Sequence, residues 1–236
     1  MEKSFVKVPK MGPVIAIDGP AGTGKSTATR RLADQLGFVH VDTGALYRAI
    51  GFLVLEKERP EVDLVASAVD VARSVHLEFQ RSPEKNPANR IFANGRDLTD
   101  LIRTPQVTMT ASRVSSIPEV RAALLGLQRR LGCQGRAILE GRDIGTVVFP
   151  DADVKFFLNA SVDERAKRRL IELEAAGSDA PSFEEVKAQI VERDRGDSTR
   201  AVAPLRKAQD AIELDTSQLT LDQVVATMEK MIVERL

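Results

Sequence analysis

Residues Gly19-Pro20-Ala21-Gly22-Thr23-Gly24-Lys25-Ser26 have the pattern G-x-x-x-x-G-K-S and lie between an apolar run and a helical sequence. The apolar run covers residues 14–17, and the helical sequence covers residues 27–35. Glycines let a backbone curve closely around an anion, and the amides of a helix N-terminus add donors and partial positive charge. The stretch therefore predicts a strand, a phosphate-binding loop and a helix.

Two side chains of this loop predict a triphosphate ligand. Lys25 is expected to reach the β- and γ-phosphates of a nucleoside triphosphate, and the Ser26 hydroxyl is expected to ligate Mg²⁺. The alternative is a glycine-rich turn that matches the pattern by chance, and the flanking strand and helix argue against it. The residues expected to bind the triphosphate are Gly19, Pro20, Ala21, Gly22, Thr23, Gly24, Lys25, Ser26 and Thr27.

The composition is that of an ordinary soluble globular protein. The chain has 236 residues, of which 43% are hydrophobic and 29% charged, so it is long enough for one α/β domain or two small ones. Basic and acidic residues number 34 each, which leaves no net field to attract nucleic acid or an anionic membrane. We therefore expect neither as a partner.

Cysteine content and hydropathy bear on location. The single cysteine, Cys133, cannot form an intramolecular disulfide, which is typical of a reducing compartment. No apolar run approaches the ~20 residues of a membrane span, and residues 1–11 lack the apolar stretch of a signal peptide. We expect a cytoplasmic monomer in which residues 1–12 form a flexible extension of one domain at 13–236.

Five short apolar runs indicate a buried sheet. Near-continuous apolar runs are typical of strands covered on both faces, and helix-compatible sequence separates each run from the next. The predicted fold class is therefore α/β, a doubly wound five-stranded parallel sheet with the phosphate loop at the carboxyl end of its first strand. The five runs are residues 14–18, 38–42, 136–140, 154–159 and 211–215.

One segment between the second and third runs predicts antiparallel pairing. Residues 75–81 and 89–93 are joined by a turn-rich stretch and predict a β-hairpin, which residues 96–99 extend. The chain is therefore expected to carry a small β-rich insertion at about 72–105.

A second segment predicts a helical hairpin outside the sheet. Residues 164–176 and 183–193 predict two helices, and Ser182 with Glu185 predicts a capping box at the start of the second. The density of arginine on this hairpin indicates a mobile helical lid at about 161–200.

Polar side chains follow the second and third predicted strands. After the second come Thr43, Tyr47 and Arg48, which would face the phosphate loop across a cleft. A helix cap at Thr43, followed by core and surface residues, explains the same sequence. After the third come Arg142 and Asp143, where an arginine fork suits phosphate oxygens or a base edge and a carboxylate suits an amine or another arginine. A surface turn with a local ion pair is the alternative.

Arginines recur along the predicted lid. Arg165 and Arg169 share a helix face, with Arg168 beside them. Phosphoryl transfer needs positive charge over the γ-phosphoryl group, and arginines on a closing element supply it. Solvated salt bridges with neighbouring glutamates are the alternative. The series continues with Arg193, Arg195 and Arg200, and Arg121 is a further candidate for a phosphate clamp.

From about residue 13 to the C-terminus, the chain resembles the bacterial cytidylate (CMP/dCMP) kinases, a family of nucleoside monophosphate kinases. The most specific stretch is Gly141-Arg142-Asp143-Ile144-Gly145-Thr146-Val147-Val148-Phe149-Pro150-Asp151. The other stretches are Ile17-Asp18-Gly19-Pro20, Asp42-Thr43-Gly44-Ala45-Leu46-Tyr47-Arg48 and Arg200-Ala201-Val202-Ala203-Pro204-Leu205. The resemblance implies a Mg²⁺-dependent phosphotransferase of pyrimidine nucleotide metabolism that uses ATP to convert CMP or dCMP to CDP or dCDP.

The resemblance also implies roles for individual residues. The β-rich insertion would enlarge the monophosphate-binding region, and Tyr47 would line a cytosine pocket. Thr43 stands where the family often has serine, and Glu140 where it often has aspartate. The residues implied in CMP binding are Thr43, Tyr47, Arg48, Ser112, Arg121, Arg142, Asp143, Asp197 and Arg200. Those implied in catalysis are Lys25, Arg142 and the lid arginines Arg165, Arg169 and Arg193.

The phosphate of an acceptor nucleotide is already deprotonated, so this chemistry requires no side-chain base. His40 and His76 are accordingly expected to be structural, and Asp18 is expected to support the hydration shell of Mg²⁺. Two other functions stay open. One is a kinase for UMP, AMP, shikimate or another small acceptor. The other is a nucleotide-dependent switch, although the sequence lacks the N-K-x-D signature of GTP specificity.

Overall fold

The computed structural model describes residues 10–57, 63–81, 89–175 and 181–236. The strands are β1 (Val14–Asp18), β2 (Val39–Asp42), β3 (Leu77–Arg81), β4 (Asn89–Ala93), β5 (Arg96–Asp97), β6 (Ala137–Gly141), β7 (Val154–Asn159) and β8 (Ile212–Asp215). The helices are α1 (Lys25–Leu36), α2 (Thr43–Glu56), α3 (Leu64–Ser74), α4 (Pro105–Val114), α5 (Pro118–Cys133), α6 (Val162–Ala175), α7 (Phe183–Thr199) and α8 (Leu221–Val233). Within these described ranges, no helix has the length and apolarity that a bilayer crossing needs.

Some sequence predictions concern residues outside this description. They are residues 1–9 of the predicted N-terminal extension, the predicted hairpin turn at 82–87, and residues 177–180 of the predicted lid loop.

Five of the strands form the predicted parallel sheet, in the order β2-β6-β1-β7-β8. The central strand β1 pairs in parallel with β6 on one side and with β7 on the other, and β7 pairs in parallel with β8. Every residue of β1 and β6 is buried, as their near-continuous apolar runs predicted. Ile15 and Ile138 of these strands share an apolar core with Leu32 of α1 and Met228 of α8. The predicted α/β fold is therefore confirmed.

The chain divides into two compact units. The first, here called the phosphate-loop unit, comprises Met1–Val41, Gln128–Thr199 and Ala203–Leu236. The second, here called the insertion unit, comprises Asp42–Leu127 and Arg200–Val202. The sequence predicted one domain at 13–236, with an insertion in it, and the two units are described separately below.

The insertion unit is built on a three-stranded antiparallel sheet, β3-β4-β5. β3 and β4 form the predicted hairpin, in which Leu77 lies opposite Ala93. Helices α2 to α5 share one apolar core with this sheet, to which Leu46 and Ile91 contribute fully buried side chains. The unit is larger than the β-rich insertion predicted at about 72–105, because the flanking helices bury their apolar faces in the same core.

Helices α6 and α7 correspond to the predicted lid and pack on one another through a small apolar cluster. Ser182 and Glu185 form the predicted capping box, since each backbone amide donates to the other side chain. Helix α7 continues beyond its predicted end at residue 193, as far as Thr199. That last stretch is polar, so no apolar periodicity marked it as helical. Closure of a lid stays a prediction.

Two residues of the predicted N-terminal extension are attached to the phosphate-loop unit. Lys10 Nζ lies 3.0 Å from the Asp153 carboxylate and 2.8 Å from the Asp151 carbonyl oxygen. The Met11 amide donates to the Cys133 carbonyl oxygen at 3.1 Å. These contacts hold residues 10 and 11 in place, whereas the sequence predicted a flexible segment up to residue 12.

Candidate active site

The phosphate loop connects β1 to α1, and its glycines have backbone conformations that other residues rarely adopt. Gly22 and Gly24 have φ angles of 79° and 82°, in the left-handed region that favours glycine. Gly19 has a φ angle of 148°, and a Cβ atom there would lie 2.0 Å from the Leu158 carbonyl oxygen. The close approach of β7 therefore requires a residue without a side chain at the start of the loop.

Lys25 is buried within this loop. Its ammonium donates to the Pro20 carbonyl oxygen at 2.5 Å and to Thr23 Oγ1 at 3.2 Å. Burial lowers the pKa of Lys25 well below its usual value, and Arg142 lowers it further, whereas Glu140 opposes the shift. The ammonium is thus a desolvated cation that a phosphate bound in the loop would stabilise.

The loop residue Ser26 is hydrogen-bonded to the carboxylate of Glu140 on β6. Its hydroxyl donates to Glu140 Oε2 at 2.6 Å, and Glu140 Oε1 lies 2.9 Å from His40 Nε2. His40 was expected only to be structural, and its link to the loop through Glu140 was not predicted. The strand order explains the contact, because β6 lies between β2, which carries His40, and β1, which leads into the loop.

The oxygen atoms around Ser26 fit a magnesium ion that is held mainly through a nucleotide. Because the Ser26 hydroxyl gives its hydrogen to Glu140, its lone pairs are left for a cation. Mg²⁺ is commonly bound by one or two protein groups together with substrate phosphates. The described part of the chain has no group of three or more His, Cys, Asp or Glu side chains that could hold a metal by themselves.

Asp18, the last residue of β1, holds the turn that follows β6. Its two carboxylate oxygens accept hydrogen bonds from the Ile144 and Gly145 amides, both at 2.8 Å. Only 4% of Asp18 is exposed, and burial raises its pKa to about 6, although the two amides oppose the rise. Both oxygens therefore hold the turn after β6, and the support of a Mg²⁺ hydration shell by Asp18 stays a prediction.

Arg142 and Asp143 lie directly after β6. Arg142 Nε donates to Asp197 Oδ2 at 2.9 Å, and Asp197 lies on α7, so this ion pair is not the local one of the surface-turn alternative. Asp143 is buried, and its carbonyl oxygen accepts the Val148 amide at 3.2 Å, the i→i+5 bond that begins the π-helical turn Ile144–Val148. The two predicted acceptor residues Arg142 and Asp197 are thus in contact within the phosphate-loop unit.

Arg165 is fixed against the phosphate loop. It is 3% exposed, and its Nη1 donates to the Ala21 carbonyl oxygen at 3.2 Å, while its Nη2 lies 2.7 Å from Asp194 Oδ2. Its Nε donates to the Ala160 carbonyl oxygen at 3.0 Å. A Cβ atom on Gly22 would lie only 3.0 Å from Arg165 Cβ. Arg165 therefore contacts the loop backbone directly in this structure.

The other two predicted lid arginines differ from each other. Arg169 is partly exposed and lies 3.0 Å from Glu172 on the same helix, which matches the alternative of a solvated salt bridge. Arg193 on α7 lies close enough to Lys25 to lower the pKa of the lysine. The structure therefore places Arg193 in the electrostatic environment of the loop lysine, whereas Arg169 pairs with a glutamate of its own helix, and its role in catalysis stays a prediction.

Arg168 makes a connection to the loop that the sequence did not predict. Its Nη2 donates to the Thr216 carbonyl oxygen at 2.7 Å, and its Nε donates to Glu164 at 3.1 Å. The Thr216 hydroxyl lies 3.1 Å from the Thr23 carbonyl oxygen, and Thr216 is buried. Nothing in the sequence marked this threonine, which simply follows β8.

The insertion unit brings together some of its predicted acceptor residues. The Arg121 guanidinium lies 5.5 Å from the centre of the Tyr47 ring, within the range of a cation–π contact. Arg48 Nη2 lies 2.6 Å from the carboxylate of Asp42, which also caps α2 through the Ala45 amide. Two of the predicted arginines are thus held in place by an aromatic ring and by a capping carboxylate.

The remaining predicted residues of this unit lie on α2, on α4 and in the segment Arg200–Val202. Thr43 is buried and is the first residue of α2, so the cap is Asp42 and not Thr43, where the helix-cap alternative had placed it. Ser112 lies half-buried on α4. Arg121 Nη1 donates to the Ser115 carbonyl oxygen at 3.2 Å, just after α4. Arg200 belongs to the short segment Arg200–Val202 that clusters with this unit.

A parallel sheet with a phosphate loop after its central strand, a buried loop lysine and arginines beside it define a P-loop nucleotide-binding protein. The family model for cytidylate kinase matches residues 15–234, and the chain belongs to that family.

Relatives of two lengths are similar to the chain. The cytidylate kinase of Citrifermentans bemidjiense is 46% identical over 225 residues, which cover 95% of this chain and 94% of that protein. The cytidylate kinase of Geobacter sulfurreducens is 46% identical over 226 residues, covering 96% and 95%. A bifunctional pantoate ligase/cytidylate kinase of Synechococcus is 49% identical over 223 residues, and the chain spans 44% of its length.

Proposed function

We propose that the chain is an ATP-dependent kinase that transfers the γ-phosphoryl group of ATP to CMP or dCMP, with CDP or dCDP and ADP as products. The observation that carries the proposal is the buried Lys25 within a glycine loop, in a chain whose residues 15–234 match the cytidylate kinase family. The relatives named as cytidylate kinases align with nearly the whole chain, and their name is the reason for proposing CMP or dCMP as the acceptor.

The donor is assigned to the phosphate-loop unit. The loop amides and Lys25 would bind the β- and γ-phosphates, and Ser26, oriented by Glu140, would hold Mg²⁺. Arg165 and Arg193 supply positive charge beside the loop, through the contacts to Ala21 and to Lys25 described above. Mg²⁺, when bound, would neutralise charge on the transferred phosphoryl group.

The acceptor is assigned to the residues that the family resemblance implies. Arg48, Arg121 and Arg142 would bind its phosphate, and Tyr47 would stack on or line the base. Asp143 would accept a hydrogen bond from the cytosine amine, and Thr43, Ser112, Asp197 and Arg200 would complete the set. The support is that Tyr47 is fixed by Arg121 and that Arg142 is oriented by Asp197.

The reaction needs positioning and charge neutralisation rather than a general base. The acceptor phosphate is already a nucleophile, so the chain has only to align it with the γ-phosphoryl group and to stabilise the transferring oxygens. Four cations of the phosphate-loop unit are available for this purpose, namely Lys25, Arg142, Arg165 and Arg193. Closure of α6 and α7 over ATP would exclude water and prevent hydrolysis.

We further infer that the protein acts in the cytoplasm, as a monomer and without nucleic acid or membrane. The support is its balance of 34 basic and 34 acidic residues and its single cysteine, which is buried.

An acceptor panel tests the proposed reaction. ADP release from Mg·ATP is measured in one coupled assay with CMP, dCMP, UMP, AMP and shikimate. We expect kcat for CMP or dCMP in the range of about 1–100 s⁻¹. We expect kcat/KM for UMP to be lower by about 100-fold or more, because a buried carboxylate would be left without its donor. Slow ATP hydrolysis at a rate that CMP does not change would instead indicate a nucleotide-dependent switch. A higher kcat/KM for another acceptor would contradict the proposal that the acceptor is CMP or dCMP.

A further inference from the structure

The hydrogen bonds around Glu140 connect an edge strand to the phosphate loop. His40 on β2 has a side chain that is 13% exposed, and its Nε2 lies 2.9 Å from Glu140 Oε1. The second oxygen, Oε2, accepts the Ser26 hydroxyl at 2.6 Å. Glu140 is 3% exposed, so its carboxylate depends on protein partners rather than on water.

The two oxygens of Glu140 have different partners. The serine hydroxyl donates to Oε2, and the His40 tautomer that carries its hydrogen on Nε2 donates to Oε1. The serine hydrogen then points at Glu140, and its lone pairs remain for a cation. The second donor matters because a glutamate side chain has three rotatable bonds and is attracted to other cations nearby, of which Lys25 is one.

We propose that His40 is a positioning residue for the Mg²⁺-binding hydroxyl of the phosphate loop. By donating to Oε1 it holds the Glu140 carboxylate with Oε2 directed at Ser26, and so keeps the serine oxygen oriented toward the metal of Mg·ATP. His40 itself touches neither the metal nor the nucleotide. The inference rests on the proposed function only in requiring that Ser26 and ATP phosphates share a Mg²⁺ ion.

The test compares two substitutions of His40 that differ in reach. In His40→Gln the terminal amide nitrogen can replace Nε2, whereas in His40→Asn the amide is too short to reach Glu140. Equilibrium binding of ATP is measured by calorimetry without an acceptor, once with Mg²⁺ and once with EDTA. We expect His40→Asn to lower the affinity gained from Mg²⁺ by about tenfold, as is typical for loss of a partner behind a metal ligand. We expect His40→Gln to retain most of that gain, and neither variant to change binding in EDTA.

Two further variants separate this role from a general effect on folding. His76→Leu removes the other histidine of the chain, which is 76% exposed on the insertion unit, and is expected to leave the Mg²⁺ dependence unchanged. In a Glu140→Gln background, His40→Asn is expected to have no added effect, because His40 acts through that carboxylate.

Several results would overturn the inference. They are an unchanged Mg²⁺ dependence in His40→Asn, an equal loss in His40→Gln, and a full additional loss in the Glu140→Gln background. Failure of the proposed function looks different, because the unsubstituted protein would then bind ATP no better with Mg²⁺ than with EDTA, or would bind Mg·ATP but fail to phosphorylate CMP. The first of those outcomes removes the metal site and this inference with it, whereas the second leaves the inference standing.

Discussion

Arg142 and Asp197, which were both predicted to bind the acceptor nucleotide, bind each other, with Arg142 Nε 2.9 Å from Asp197 Oδ2. Both side chains are largely buried, since 19% of Arg142 and 9% of Asp197 is exposed. The orientation of the guanidinium group therefore depends on a residue of α7, 55 positions further along the chain. An acceptor phosphate that binds Arg142 would meet a group that is already oriented.

Replacing Arg142 by lysine tests the importance of this orientation. Lysine keeps the charge but loses the planar fork and the bond through Nε, so we expect kcat/KM for CMP to fall by about 100-fold. Arg195→Lys is the matched control, because Arg195 lies on the exposed surface of α7 with 71% of its side chain accessible. Steady-state kinetics with CMP as the varied substrate measure both variants. A kcat/KM for CMP close to that of the parent in Arg142→Lys would show that Arg142 does not bind the acceptor.

Lys25→Met is expected to separate activity from stability. The rate should fall by about 10³-fold or more, because a preorganised cation on the γ-phosphate is lost. The free protein should become more stable, with a thermal midpoint higher by about 2–4 °C, because burial disfavours the ammonium in the folded state.

The pH dependence of stability gives a second measurement on Lys25. The pKa of Lys25 is lowered in the folded protein, so the unfolded chain holds the proton more tightly. The free energy of unfolding of the parent therefore rises as the pH rises toward the usual lysine pKa. The free energy of unfolding of Lys25→Met, measured in urea, should therefore exceed that of the parent by less at pH 9 than at pH 7. A variant that is less stable than the parent at pH 7 would contradict the argument.

Asp18 should make stability depend on pH in the mildly acidic range. Its pKa is raised to about 6 in the folded state, so between about pH 4 and pH 6 the folded protein binds the proton more tightly than the unfolded chain does. Its contribution to stability therefore declines as the pH rises through that window, by up to about 3 kcal/mol.

Urea unfolding at pH 4, 5, 6 and 7 measures this contribution when the parent is compared with Asp18→Asn. The difference in unfolding free energy, parent minus variant, should decrease steadily from pH 4 to pH 7. A difference that stays constant would show that the Asp18 carboxyl titrates with its ordinary pKa of 3.8.

Asp143→Asn is expected to weaken discrimination between cytosine and uracil. If the buried carboxylate accepts from the cytosine amine, an asparagine that can also donate should tolerate the uracil carbonyl, and the CMP to UMP ratio of kcat/KM should fall by about tenfold or more. Asp222→Asn serves as the control, because Asp222 pairs with Arg31 on the exposed surface. An unchanged ratio would mean that Asp143 does not contact the base.

Local patterns were enough to predict the elements that position the site. The glycine loop with its flanking strand and helix, the β3–β4 hairpin and the Ser182–Glu185 capping box all depend on residues close together in sequence. The boundaries were less accurate where the sequence is polar, since α7 continues to Thr199 without an apolar stripe. Patterns of period and turn chemistry identify such elements because their hydrogen bonds are local.

The amino-acid sequence was enough to predict the class of fold, the phosphate loop and the residues that could meet a nucleotide. Which of these residues touch one another depends on the tertiary structure. Only the order of the strands puts His40 and Glu140, which are 100 positions apart, on neighbouring strands with Ser26 beside them. In the same way it brings Asp18 into contact with the turn after β6, 126 positions further along the chain. A sequence shows where a carboxylate stands along a strand, but its partners come from distant segments that meet only when the sheet is assembled.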